Sequence, residues 1–213
     1  MENPRCRLIL ATPASPELST FTGQVSAAFA GGDVSTLILA LETEDNRLWR
    51  DIAEIVQPQA IEAQAAFLIS DQVKLAEEFH ADGVHIETGH DELPAIVESM
   101  RPERIVGAGA IFNRHTAMNI GELGVDYVFF GRVNLAPDDR KAAETVKELT
   151  EWWGPLFQIP CVAFAASMED VEKLIGLGTD FIAVRDLVWN HPDGPGAATE
   201  EINRLIDKST IAI

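Results

Sequence analysis

Short apolar runs rich in β-branched residues punctuate the whole chain: "RLILAT" (7–12), "VSTLILAL" (34–41), "AFLIS" (66–70), "GVHIE" (83–87), "RIVGAGA" (104–110), "DYVFFGRV" (126–133), "IPCVAFAA" (159–166) and "DFIAVRDLV" (180–188). They are close to continuously hydrophobic, as strands are when a parallel sheet is covered on both faces. The segments between them carry helical spacing, as in Leu18, Phe21, Val25 and Phe29, or Val171, Leu174 and Ile175. Ser167 with Asp170 three residues on reads as a capping box, and Gly31-Gly32, Gly121, Gly124, Gly176 and Gly178 read as helix ends. Eight strand-then-helix units without a linker or a shift in composition predict one domain over 1–213, an α/β (β/α)8 TIM barrel. A doubly wound open sheet is the alternative. It is disfavoured because "ATPASPE", after the first run, has two prolines where a dinucleotide-binding half would carry GxGxxG.

A parallel barrel gathers its chemistry at the C-terminal ends of the strands. That rule sorts the stretch "FLISDQVKLAEEFHADGVHIE" (67–87): Asp71 follows a run and belongs to the rim, whereas Asp82 precedes one and should fix a turn. The rim then collects Thr12, Glu42, Glu44, Asp45, Ser70, Asp71, Gln72, Glu87, His90, Asp91, Asn113, Arg114, His115, Arg132, Asn134, Asp138, Asp139, Ala165, Ala166, Ser167, Arg185 and Asp186.

Charge narrows what such a rim can meet. With 34 acids against 16 bases among 213 residues, the formal net charge is −18, a field that repels nucleic acid and anionic membranes. A phosphate ligand would need a local device: a helix N-terminus, a metal ion or a well-placed arginine. No run approaches the roughly 20 apolar residues that span a bilayer, and Met1 to Thr20 lacks a signal-peptide pattern, so a soluble cytoplasmic protein is expected. Cys6 and Cys161 form no CxxC pair, and Cys161 reads as a small buried hydrophobe.

Two constellations point to charged ligands. Asp71 with Asp91, or with Glu87, can offer carboxylates to a hard cation such as Mg2+; alternatively Asp71 caps the helix beginning "DQVKLAEEF". The start of the Ser167 helix and Arg185 lie where barrels build phosphate sites; alternatively Arg185 pairs with Asp186. The five histidines have no zinc spacing, and His85, inside a strand, reads as a hydrogen-bonded core residue. Trp152, Trp153 and Trp189 read as packing or as an association surface.

The run at 67–87 resembles the segment of thiamine phosphate synthases that proceeds apolar-Ile-Asn-Asp-Arg, then Ala-Asp-Gly-Val-His. The resemblance continues in "RLILATP", "RIVGAGA", "GELGVDYVFFGRV", "IPCVAFAAS" and "GLGTDFIAV", over about 7–190. It implies a TIM barrel that joins hydroxymethylpyrimidine diphosphate to thiazole phosphate, releases diphosphate with Mg2+ and works as a homodimer. Carried over by position, the metal aspartates fall on Asp71 and on His90 or Asp91. Phosphate contacts fall on Ser70, Ala165, Ala166 and Arg185, beside the start of the Ser167 helix, with Arg132 and with Arg140 or Lys141 as the catalytic basic groups of the sixth loop. The chain departs from the pattern: no base lies between Val34 and Asn46 where the family grips diphosphate, a serine position is Gly109, and the Gly-Gly turn is Ala165-Ala166. Each lost charge-assisted hydrogen bond is worth about 1.5–3 kcal/mol. The alternatives are a non-catalytic relative that binds a thiamine-related phosphate or a protein partner, and a thiazole tautomerase. The characteristic histidine of the tautomerases aligns with Ile111.

Overall fold

The computed structural model describes residues 5–211. Eight strands, β1 (Arg7–Ala11), β2 (Thr36–Leu39), β3 (Ala66–Ser70), β4 (Gly83–Ile86), β5 (Ile105–Ile111), β6 (Tyr127–Phe130), β7 (Cys161–Phe164) and β8 (Phe181–Val184), close in chain order. All neighbours are parallel, and β1 pairs with β8 from Arg7↔Phe181 to Leu10↔Val184 to shut the ring. The helices are α1 (Leu18–Ala30), α2 (Asn46–Glu62), α3 (Val73–Glu78), α4 (Leu93–Met100), α5 (Arg114–Glu122), α6 (Arg140–Trp153), α7 (Met168–Ile175), α8 (Asp186–Trp189) and α9 (Pro195–Ile211). The chain folds as the expected (β/α)8 TIM barrel. Among the described residues no helix is long and apolar enough to cross a membrane.

The strand interiors are buried on both faces, which is why their sequences show no polar alternation. Inside the barrel, His85 on β4 is fully buried and stacks 5.8 Å from Tyr127, and Phe129 and Phe164 continue the packing. Gly107 on β5 is obligatory, because a Cβ there would lie 1.9 Å from the Tyr127 ring.

One device recurs at the N-terminal face. Asp82, before β4, accepts the Phe67 N–H of β3 at 2.7 Å; Asp126, before β6, accepts Val106 of β5 at 2.8 Å; Asp180, before β8, accepts Cys161 of β7 at 2.8 Å. Asp33, before β2, pairs instead with Arg7 of β1 and with Arg5, and the Arg7 hydrogen bond holds its carboxyl below the ordinary range. Each even-numbered strand is thus preceded by an aspartate tied to the odd strand before it, and Asp82 fixes a turn as its position implied.

Some boundaries differ from the apolar pattern. The last run does not continue as a strand: Arg185 adopts φ −135°, ψ −95°, and Asp186–Trp189 turns into a short helix. There Trp189 is buried, packs on Phe21 and donates to the Ala11 carbonyl at 2.6 Å. Trp153 is buried too, which leaves Trp152 half-buried beneath Arg114. Gly121 does not end its helix. It lies inside α5 because the Trp153 ring crosses there, 3.0 Å from where its Cβ would be, while Gly124 takes the left-handed conformation.

Removing a staple should be costly, since the strand N–H would lose its carboxylate acceptor. Asp180→Ala is expected to lower unfolding free energy by about 1–3 kcal/mol, read from the urea midpoint, with an unchanged midpoint the contrary result. Cys6 and Cys161 are both buried, and burial pushes their thiols up to about 12 and about 11. A raised folded pKa stabilises fully below the unfolded value of about 9 and is lost as pH climbs through the folded value. At pH 8 both thiols should therefore ignore a thiol reagent in the folded protein and react fully in guanidinium; fast labelling of the native state would contradict this.

Candidate active site at the barrel mouth

The C-terminal mouth encloses a cavity of about 580 Å3 lined by the ends of β2, β3, β4, β5, β6 and β8. Its charged lining is Glu42, Glu44, Asp71, Glu87, Arg132 and Arg185, with Ser70, Thr88, Ala110, Val133 and Asn134 between them. Acids outnumber bases at this mouth as they do over the whole chain.

Asp71 is not a helix cap. The N-cap position of α3 is Gln72, which makes no side-chain cap, whereas Asp71 sits at φ +53° with its N–H on the His85 carbonyl. This backbone turn swings the carboxylate across to the loop after β4, where Oδ1 accepts the Glu87 N–H at 2.9 Å and the Thr88 N–H at 3.0 Å. Both bonds fall on one oxygen, so Oδ2 is left to face another partner. Ala110, also lining the cavity, shares the same φ of +53° and sits in the bulge where the β5–β6 register shifts between Ala108 and Ile111. Left-handed non-glycine residues cost about 1–3 kcal/mol each and gather at functional sites.

Glu87 ties the loops together. Its Oε1 accepts the Val133 N–H at 2.8 Å, lies 3.4 Å from His85 Nε2 and fills the space beside Gly109. His85 Nδ1 is 2.9 Å from the Tyr127 hydroxyl. Burial, then the charges of Glu87 and Asp126, push the Tyr127 phenol up, so it stays protonated and can donate to Nδ1. That leaves Nε2–H towards Glu87. A side chain at 109 would strike His85 Nε2 at 2.7 Å, so glycine there belongs with this histidine and glutamate.

On the other side of Val133 lies Arg185, whose side chain is 6% exposed. Its Nη1 reaches the Val133 carbonyl at 3.5 Å, and Nη1 and Nη2 both donate to Glu42 Oε1, at 3.0 and 3.1 Å. The expected pairing with Asp186 is present at 3.4 Å from Nε, but without hydrogen-bond geometry, and Nε is buried with no hydrogen bond. A buried guanidinium requires a counter-charge, and the strand-two loop supplies it.

The sequence-derived candidates divide at this mouth. Ser70, Asp71, Arg132 and Arg185 line the cavity, with Arg132 lying over the Phe112 ring at 5.3 Å. Asp91 is exposed in the 3-10 turn His90–Glu92, outside the lining. Arg140 begins α6 and lines a separate small cleft with Lys147 and Lys173. Ala165, Ala166 and Ser167 also lie outside the mouth lining: the Ala165 N–H is used by the Ala183 carbonyl, and the Ser167 hydroxyl caps α7 and donates to Asp170 at 2.6 Å. Val133 and Ala110 act through their backbones, and no side-chain signal marks them in the sequence.

Comparison with known proteins decides the family. The model for "Thiamine monophosphate synthase" matches residues 8–188. The chain belongs to the thiamine monophosphate synthase family. It is 35% identical over 210 residues to the thiamine-phosphate synthase of Rhodospirillum centenum, covering 94% of this chain and 98% of that one. It is 36% identical over 214 residues to that of Hyphomonas neptunium, covering 96% and 95%. The thiamine phosphate pyrophosphorylase of Pyrococcus furiosus superimposes with a TM-score of 0.78 at 23% identity, covering 97% of this chain and 98% of that structure, a likeness of fold. Within this family framework Glu87 holds the sixth-loop backbone in place. Glu87→Ala should therefore abolish hydrogen-exchange protection at the Val133 amide, while Glu87→Gln, which keeps an acceptor oxygen, should retain most of it; equal protection in both would refute the tie.

Proposed function

We propose that the protein performs the reaction implied by its family at this mouth: hydroxymethylpyrimidine diphosphate and thiazole phosphate are joined as diphosphate leaves. The observation that carries the reading is a cavity of about 580 Å3 with Asp71 fixed at its edge by two backbone N–H groups, in a chain that matches thiamine-phosphate synthases over nearly its full length.

The residues fit Mg2+ only as an ion that arrives with phosphate. Among the described residues no three His, Cys, Asp or Glu side chains gather into a metal cage, and Asp91 stands outside the cavity lining. Mg2+ is commonly held by one or two carboxylates with substrate phosphates and water, a role suited to Asp71 through Oδ2. Bound there, the ion would neutralise charge on the departing diphosphate. The chain's own part is to orient and to exclude. Asp71 and Glu87 hold the fourth and sixth loops rigid; Arg185 and Arg132 offer guanidinium donors for phosphate oxygens; Ser70, buried at the end of β3, offers a hydroxyl beside Asp71. Preorganised donors of this kind act without reorganisation cost at the moment charge develops.

A second reading is favoured by two observations: Arg185 is already neutralised by Glu42, and the strand-two loop has no base to grip diphosphate. In it the protein binds a thiamine-related phosphate without turnover. The two separate on incubation of the full chain with both phosphorylated precursors and Mg2+. The synthase reading expects diphosphate release that Asp71→Ala lowers at least 100-fold, about the loss expected when a charge-stabilising group is removed. A flat time course from well-folded wild-type protein would overturn it in favour of binding alone.

A further inference from the structure

The contact between Glu42 and Arg185 is unusual in three respects. Arg185 is buried, yet its partner is 54% exposed and comes from the distant strand-two loop. Both terminal nitrogens converge on a single oxygen, Glu42 Oε1, so the planar fork is used end-on and not against two oxygens. The remaining Nε is buried within the mouth lining and has no hydrogen bond. A guanidinium fork is best matched by an anion presenting two oxygens in its plane, as a phosphate monoester does. Glu42 reaches it with one oxygen.

We infer that Glu42 is a tethered anion that holds Arg185 until a phosphate monoester exchanges for it, so that Glu42 sets the affinity of the mouth for phosphate. The inference rests on reading the mouth as a phosphate site and assigns the position within it. The incoming monoester takes the fork side-on with two oxygens, one on a terminal nitrogen and one on the unbonded Nε, and the displaced Glu42 swings into solvent, to which half its surface is already open. With Glu44, Asp71 and Glu87 still lining the cavity, an ion of higher charge is repelled more strongly unless a cation accompanies it. Any monoester must therefore outcompete the Glu42 carboxylate, while the remaining acids act on every anion that enters.

The test is calorimetric titration of the full chain with inorganic phosphate, without divalent cations, for wild type, Glu42→Gln and Glu44→Gln. The two variants remove the same charge from the same exposed loop, but among the described residues Glu44 makes no ion pair. Glu42→Gln should tighten phosphate binding about tenfold or more, the size of one charge-assisted contact, and Glu44→Gln by less than about twofold, as expected of a screened exposed charge. Equal tightening in both would reduce the effect to the general field, and no tightening in Glu42→Gln would remove the tethered anion; either result overturns the inference. Glu42→Asp, one methylene shorter, keeps the test decisive if the Gln variant folds poorly, since it too must tighten binding. The readout is inorganic phosphate and not turnover. Absence of synthase activity therefore leaves the inference standing, and an active synthase whose Glu42→Gln gains nothing overturns it alone.

Discussion

The Val133 peptide, just beyond β6, is gripped from both sides: Glu87 from β4 takes its N–H, and Arg185 from β8 reaches its carbonyl. Around this one peptide the polar connections run outward to Asp71 after β3, through the Glu87 backbone, and to Glu42 after β2, through Arg185. Five strand ends are joined in this way by side chain to backbone or charge to charge. The mouth depends on it, because it links loops whose strands are not neighbours, whereas backbone bonds such as Glu42 N–H to the Ala14 carbonyl join adjacent ones. Removal of either grip leaves a buried donor or acceptor unmatched, which is what makes the arrangement specific as well as rigid.

The same network fixes the electrostatics. In a molecule of net charge −18, a cationic group that is to meet phosphate must be sheltered from exposed acids. Arg185 is sheltered by burial, but burial obliges it to carry a counter-ion, and Glu42 fills that position. Arg132 is exposed and rests on an aromatic ring. A mouth with one neutralised and one exposed arginine, against four carboxylates, suits a phosphate that brings its own cation or that displaces a carboxylate.

Much of the fold is legible in the sequence because strands covered on both faces write themselves as unbroken apolar runs, and Asp82 is legible because it precedes such a run. The boundary of β8 is not, since the apolar residues of Asp186–Trp189 are equally consistent with a strand; only the backbone angles of Arg185 turn them helical. At the site, residue type and rim position were enough to single out Asp71 and Arg185, but not what they touch. An aspartate after a strand reads as a helix cap, and the left-handed φ that redirects Asp71 has no sequence signature. Glu42 and Arg185 are 143 positions apart and meet only because closure of the barrel sets β2 and β8 on either side of β1. Asp91 reads as a metal ligand both from its rim position and from the resemblance, yet one turn of 3-10 helix carries it outside the cavity lining.

The most direct measurement is a thermal-shift titration of the full chain with thiazole phosphate and thiamine phosphate, each with and without Mg2+. A ligand that binds only the folded state stabilises by RT ln(1 + [L]/Kd), about 2.7 kcal/mol at one hundred times Kd. The account predicts a saturable rise in melting temperature with at least one of the two phosphates, and inorganic phosphate should compete with it. A melting temperature unmoved by every ligand, with and without Mg2+, would contradict the assignment of this mouth as a phosphate-binding site.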